Sequence, residues 1–169
     1  MSLVSINEVH QNEIVDLDFC PVDDLRDKRS YLLASCSKDH SVKIFDPNDE
    51  YLEVKHIQDH SSAVIGIKFI DDTNSSEIRL VSADTKGVIS VRSIDEELQL
   101  TEPIKKDMTG NKVYCMINSE NNIFLGMDKK VQISQLKSNN SIISKKSGGA
   151  VSASVREYIK MEADEVSLY

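Results

Sequence analysis

Hydrophobic and polar residues alternate with a period of two along most of the chain, which is the pattern of half-buried strands. In EIVDLDFC (13–20), Val15, Leu17 and Phe19 fall on one face and Asp16 and Asp18 on the other, the period of two of a half-buried strand. Fifty residues later AVIGIKFI (63–70) puts Ile65, Ile67 and Phe69 at the same offsets, and each segment follows a histidine, His10 or His60. Each is followed by a short apolar run that ends in small residues, a polar turn and another alternating strand: YLLASCSKDHSVKIFD (31–46) and IRLVSADTKGVISVRS (78–93). These align without a gap, Leu33 with Leu80, Ser35 with Ser82, Val42 with Ile89 and Ile44 with Val91. A third copy matches only in pattern, through VYCMIN (113–118), IFLGMD (123–128) and KVQISQ (130–135).

Between the copies lie LEVKHI (52–57), LQLTEP (98–103) and SIISKK (141–146), each short enough to be a fourth strand that closes one unit before the next begins. Four strands in every 42 to 50 residues is the arithmetic of propeller blades. A sandwich or closed barrel would also give many short strands, but neither demands a histidine, a serine and a turn at matching offsets. Helical periodicity is poor, and its best stretch, Val155 to Met161, is short and begins with a β-branched residue. The expected units are 8–58, 59–107, 108–150 and the start of another at 151–169.

These residues resemble the WD-repeat family, whose units carry a Gly-His pair, a serine or threonine on the second strand, an aspartate in the next turn and Trp-Asp on the third strand. Val9-His10, Ser35, Asp39 and Phe45-Asp46 stand at those positions in the first unit. Phenylalanine lacks the indole donor, so the hydrogen-bond network that the resemblance implies would be shortened here. The second unit keeps Asp59-His60 and Ser82, but Lys86 replaces the turn aspartate and Arg92-Ser93 replaces Trp-Asp. Packing alternation rather than polar pinning is therefore expected to hold the later units. The run LLASCSKDHSVKIFDPNDEY with DHSSAVIGIKF and RLVSADTKGVISVRS looks most like the mitogen-activated protein kinase-binding and spindle-pole WD-repeat scaffolds. The resemblance implies an all-β propeller fragment of about three and a half four-stranded blades, cut from a longer cytoplasmic protein associated with the spindle or cytoskeleton. Its structural network would be His10, Ser35, Asp39, His60 and Ser82. Glu157 to Ala163 reads as a first strand and Glu165 to Tyr169 as the start of a second, and open blade edges of this kind invite pairing of two copies as a homodimer.

A formal charge of -8 opposes nonspecific binding to nucleic acid or to an anionic membrane, since both depend on a positive surface. No apolar run is long enough for a membrane-spanning helix and no basic segment leads an apolar core at the N-terminus, so a cytosolic or nuclear protein is expected. Cys20, Cys36 and Cys115 are too far apart for a C-x-x-C motif and read as buried thiols. No phosphate loop or nucleophile with its base occurs at a recognised spacing. The acidic runs at Asp16 to Asp24 and Asp46 to Glu50 lack the glycine and terminal glutamate of a calcium loop. No cofactor is implied. The expected activity is docking of other proteins, from kinase pathways or the spindle and cytoskeleton, with a propeller enzyme or small-ligand binder as the alternative. Loops on one propeller face carry such contacts, which nominates Gln11, Glu13, Lys38, Ser61 and Thr85.

Overall fold

Alternation of this kind becomes stable only when each sheet covers its neighbour, and the described residues build three sheets that meet at two contacts. The computed structural model describes residues 9–22, 28–72, 77–107, 112–136 and 142–145. The first sheet holds β1 (Ile14–Phe19), β2 (Leu33–Ser37), β3 (Val42–Asp46) and β4 (Leu52–Ile57), paired antiparallel in chain order. The second holds β5 (Val64–Asp72), β6 (Glu77–Asp84), β7 (Val88–Ile94) and β8 (Ile104–Asp107). The third holds β9 (Val113–Ser119), β10 (Asn122–Met127), β11 (Lys130–Leu136) and β12 (Ile142–Lys145). The unit expected at 151–169, with its strand at Glu157 to Ala163, lies outside the described residues.

One strand expectation is corrected. LQLTEP (98–103) makes only an isolated bridge, Leu100 to Ile94, and the fourth strand of the second sheet is β8, which pairs with Val88–Val91. The reason is local. The Asp95 carboxylate accepts from the backbone N–H groups of Glu97 and Gln99 at 2.9 and 2.8 Å, and Leu98 is left-handed with φ 60°. That turn spends the alternation of Leu98 and Leu100 as a loop packed on the core.

Two clusters form the core, one at each contact between sheets. Ala34, Cys36, Val42 and Ile44 of the first sheet meet Ile67, Phe69, Leu80 and Ile94 of the second. The opposite face of the second sheet, with Val81, Ala83, Ile89 and Val91, meets Met116, Ile123, Leu125 and Leu136 of the third. The middle sheet is therefore covered on both faces, at roughly 1.5–3 kcal/mol for each large apolar side chain buried.

The strand that opens the first sheet keeps the register of its counterpart, but its apolar face has no sheet packed on it among the described residues. Asp16 and Asp18 face the neighbouring sheet, where Asp16 accepts from the N–H of Ile67 at 3.2 Å and Asp18 from that of Phe69 at 2.7 Å. Lys68 lies between them, 3.1 Å from Asp16 and 3.5 Å from Asp18. Leu17 and Phe19 point the other way and are 53% and 55% exposed, whereas their counterparts Ile67 and Phe69 are 0% and 4% exposed. A period of two tells which residues share a face but not which face a neighbour covers.

At Gly66 the second and third sheets approach closely, because a Cβ built there would lie 2.8 Å from Met116 Cβ. Gly66→Ala is expected to force the two sheets apart and to destabilise the chain by about 1–3 kcal/mol, read as a lower urea midpoint. Wild-type stability in this variant would show that Met116 can yield without cost.

Candidate functional site

Antiparallel connection fixes two ends of the stack. The loops leading into β1, β5 and β9 and the turns β2–β3, β6–β7 and β10–β11 share one end; the turns β3–β4, β7–β8 and β9–β10 share the other. At the first of these ends the same polar arrangement is built twice. Lys38 N–H donates to the Glu13 carbonyl at 3.0 Å, and Thr85 N–H donates to the Ala63 carbonyl at 2.9 Å, so each turn is tied to the loop beside it.

Behind each tie lies a histidine. His10 Nε2 is 2.7 Å from Ser35 Oγ, and its Nδ1 is 3.0 Å from Asp39 Oδ2 and 3.1 Å from Ser41 Oγ. The Ser41 hydroxyl donates to the other Asp39 oxygen at 2.6 Å, and Gln11 N–H donates to Asp39 at 2.9 Å. Burial alone would raise the Asp39 carboxyl, but the Ser41 hydroxyl, the N–H groups of Gln11 and Ser41 and the His10 ring together hold it well below the usual carboxylate range. Ser41 thus joins a network that was expected to be short.

In the second sheet His60 Nε2 is 2.7 Å from Ser82 Oγ and its Nδ1 is 3.2 Å from Asp84 Oδ2. A carboxylate only accepts, so Nδ1–H donates to Asp84 and the Ser82 hydroxyl donates to Nε2. Asp84 also accepts from the N–H groups of Lys86 and Val88 at 3.0 and 2.9 Å. Burial pushes this carboxyl up, and the His60 and Val88 hydrogen bonds outweigh burial and leave it lowered.

For the second unit His60 and Ser82 were expected in the network but without an aspartate, Lys86 standing in its place, and packing rather than polar pinning was expected to hold the unit. Polar pinning is present there because Asp84 stands two residues before Lys86 and still reaches its histidine. A further pair replaces what Trp-Asp would supply: Arg92 Nε and one terminal nitrogen meet the two oxygens of Asp59, each at 2.8 Å, and Ser90 Oγ donates to Asp59 at 3.1 Å. Such a fork is the strong form of an ion pair, and Asp59 keeps Arg92 firmly protonated against the opposing effect of burial. Glycine and tryptophan have given way to an acid and a base at the same two positions. The third sheet contains no histidine.

Ser-His-Asp is also the order of a hydrolytic triad, but Ser35 and Ser82 are 1% and 6% exposed. The Ser82 hydroxyl is taken up by His60 between the first two sheets, and the Ser35 hydroxyl is taken up by His10, although Ser35 also lines a groove on the uncovered face of the first sheet. No group of His, Cys, Asp or Glu among the described residues is arranged to hold a metal. Nor is any helix there long and apolar enough to cross a membrane. Cys20 and Cys36 are buried, burial pushing the Cys36 thiol up to about 12, whereas Cys115 is exposed on the third sheet and departs from the expectation of three buried thiols.

Of the nominated surface residues, Gln11, Glu13, Lys38 and Ser61 are exposed and Thr85 is half-buried, all at the end defined by the two ties. Lys38 Nζ lies 3.2 Å from the Glu13 carboxylate. The uncovered face of the first sheet carries a groove of about 320 Å³ whose walls include Leu17, Phe19, Leu33, Phe45 and Tyr51.

Residues 1–46 match the family described as WD domain, G-beta repeat. Nuclear distribution protein nudF of Aspergillus niger is 32% identical over 82 residues, which cover 48% of this chain and 17% of that protein. Nuclear distribution protein PAC1 of Fusarium vanettenii is 36% identical over 61 residues, covering 36% of this chain and 12% of that protein. The chain thus spans a small part of the length of these relatives. Among solved structures, Saccharomyces cerevisiae Sqt1 superimposes with a TM-score of 0.67 at 14% identity over 84% of this chain and 36% of that one. The WD40 β-propeller domain of Doa1 superimposes with a TM-score of 0.54 at 18% identity over 84% of this chain and 43% of that one. The three sheets are blades of a WD40 β-propeller fold, and β1, β2 and β3 of the first blade lie in the segment that matches the WD repeat.

Proposed function

We propose that the chain is a non-catalytic docking module of a larger cytoplasmic WD-repeat protein, and that its partners are signalling or cytoskeletal proteins. The observation that carries this reading is the double tie at one end, Lys38 to Glu13 and Thr85 to Ala63, which holds exposed side chains on a rigid rim. A preorganised rim binds with little loss of loop entropy. Gln11, Glu13, Lys38, Ser61 and Thr85 are the proposed contacts, and His10, Ser35, Asp39, His60 and Ser82 the proposed pins beneath them. The kinase-binding and spindle-pole resemblance supports the choice of partner class, as does the match to nuclear distribution proteins. Two copies pair as a homodimer through their bare blade faces in this reading.

Crosslinking capture with the full chain, compared with a Glu13→Lys/Lys38→Glu/Ser61→Arg variant of unchanged circular dichroism, tests the rim. A discrete set of partners that the variant loses is the expected result. Identical capture by both proteins would overturn the assignment of the rim. Light scattering is expected to show a discrete dimer, and a monomer at all concentrations would remove the homodimer.

A further inference from the structure

The two ends of the stack differ in charge. At the end away from the rim, the turns carry Asp49, Glu50, Asp95, Glu96, Glu97 and Glu120, all exposed, and the one exposed lysine described there, Lys28, is paired with Glu97. At the rim end four acids are engaged internally: Asp39 with His10, Asp59 with Arg92, Asp84 with His60, and Glu13 with Lys38. Exposed lysines remain. Val113 N–H donates to the Thr85 carbonyl at 3.3 Å, which sets Lys112 beside Lys86. Val113 also pairs with Met127, and Met127 with Lys130, which brings the turn Asp128-Lys129 and Lys130 to the same place. Lys112 lies over the exposed ring of Tyr114, its Nζ 5.2 Å from the ring centroid. Asp128 is the exposed acid in this cluster, and β8 ends beside the cluster at Asp107, which pairs with Val88.

We propose that the rim of the second and third blades, where Lys86, Lys112, Lys129 and Lys130 gather beside Tyr114, docks a short acidic peptide segment of a partner protein. The inference rests on the docking reading above and gives that partner its chemistry. Lysines on separate turns supply point charges to an incoming carboxylate-rich segment, and Tyr114 offers an aromatic surface for the apolar residues of such a segment. The chain as a whole carries -8, so a long polyanion that overran the patch would meet repulsion, whereas a short peptide stays within it. An acidic protein segment is therefore favoured over nucleic acid.

Fluorescence anisotropy of a short fluorescein-labelled Glu/Tyr/Gly peptide, titrated with the full chain, tests the proposal. Comparators are a Ser/Tyr/Gly peptide and a single-stranded oligonucleotide of equal charge. Binding of the acidic peptide is expected to fall roughly tenfold or more in Lys129→Glu/Lys130→Glu and likewise in Lys86→Glu/Lys112→Glu, and to weaken with salt. Lys28→Glu/Lys55→Glu changes net charge equally elsewhere and is expected to leave most of the affinity. Circular dichroism and urea midpoints confirm that each variant is folded. Equal losses in all three variants, or no preference over the Ser/Tyr/Gly peptide, would overturn the proposal. Tighter binding of the oligonucleotide would overturn it in favour of a nucleic-acid surface. If captured partners stay bound to both patch variants, this inference fails while the docking reading stands.

Discussion

Phe69→Ala is expected to remove about 3–5 kcal/mol of stability, while Phe19→Ala, at the corresponding position one unit earlier, removes less than about 1 kcal/mol. Phe69 is enclosed between the first two sheets in the cluster with Ala34, Cys36 and Ile44, so truncation leaves a cavity that a packed sheet cannot close. Phe19 has the same strand position but looks onto the open groove of the first blade. Urea unfolding of the two variants checks the contrast. Comparable losses would mean that the bare face is covered in solution, by a second copy or another part of a larger protein, and light scattering of Phe19→Ala would then tell the two apart.

Asp84→Ala is expected to cost about 3 kcal/mol near neutral pH, because it leaves His60 and two backbone N–H groups in a buried site without their acceptor. The pH dependence has a definite sign. A lowered carboxyl contributes stability that is fully present above the unfolded value of about 3.9 and is lost as pH falls through the folded value. Asp39 is lowered too and acts in the same direction. Urea midpoints followed from neutral pH to about pH 3 should therefore fall in the native chain and fall less steeply in Asp84→Asn. Parallel curves would mean that Asp84 is not held as an anion by His60.

Much of the fold was legible because strand alternation and turn composition are local. Leu52–Ile57 sits where LEVKHI was expected, and Ile142–Lys145 falls within SIISKK. The less legible parts depend on contacts between sheets. Alternation groups Asp16 with Asp18 but cannot show that they accept N–H groups from Ile67 and Phe69, fifty-one residues on. Motif position suggested that the second histidine had no aspartate; the turn permits a carboxylate two residues earlier to reach the same ring. Arg92 looked like a loss at the tryptophan position, and its meaning emerges only with Asp59 opposite. For Asp59 and Arg92 a signal did exist, a paired change to opposite charges within one unit. The rim lysines left no motif, since Lys86, Lys112 and Lys130 are brought together only by the fold.

Because the middle sheet alone, among those described, is sandwiched on both faces, the stack resembles a short one-dimensional chain of coupled units. Its central amides can exchange with solvent only when the whole stack opens, whereas each outer sheet can open by itself. Anything that seats on the bare face of the first sheet removes one of those partial openings. It thereby prolongs the folded lifetime of its neighbours, and part of that gain passes through the middle sheet to the lysine turns on the far side, without a contact between the two sites.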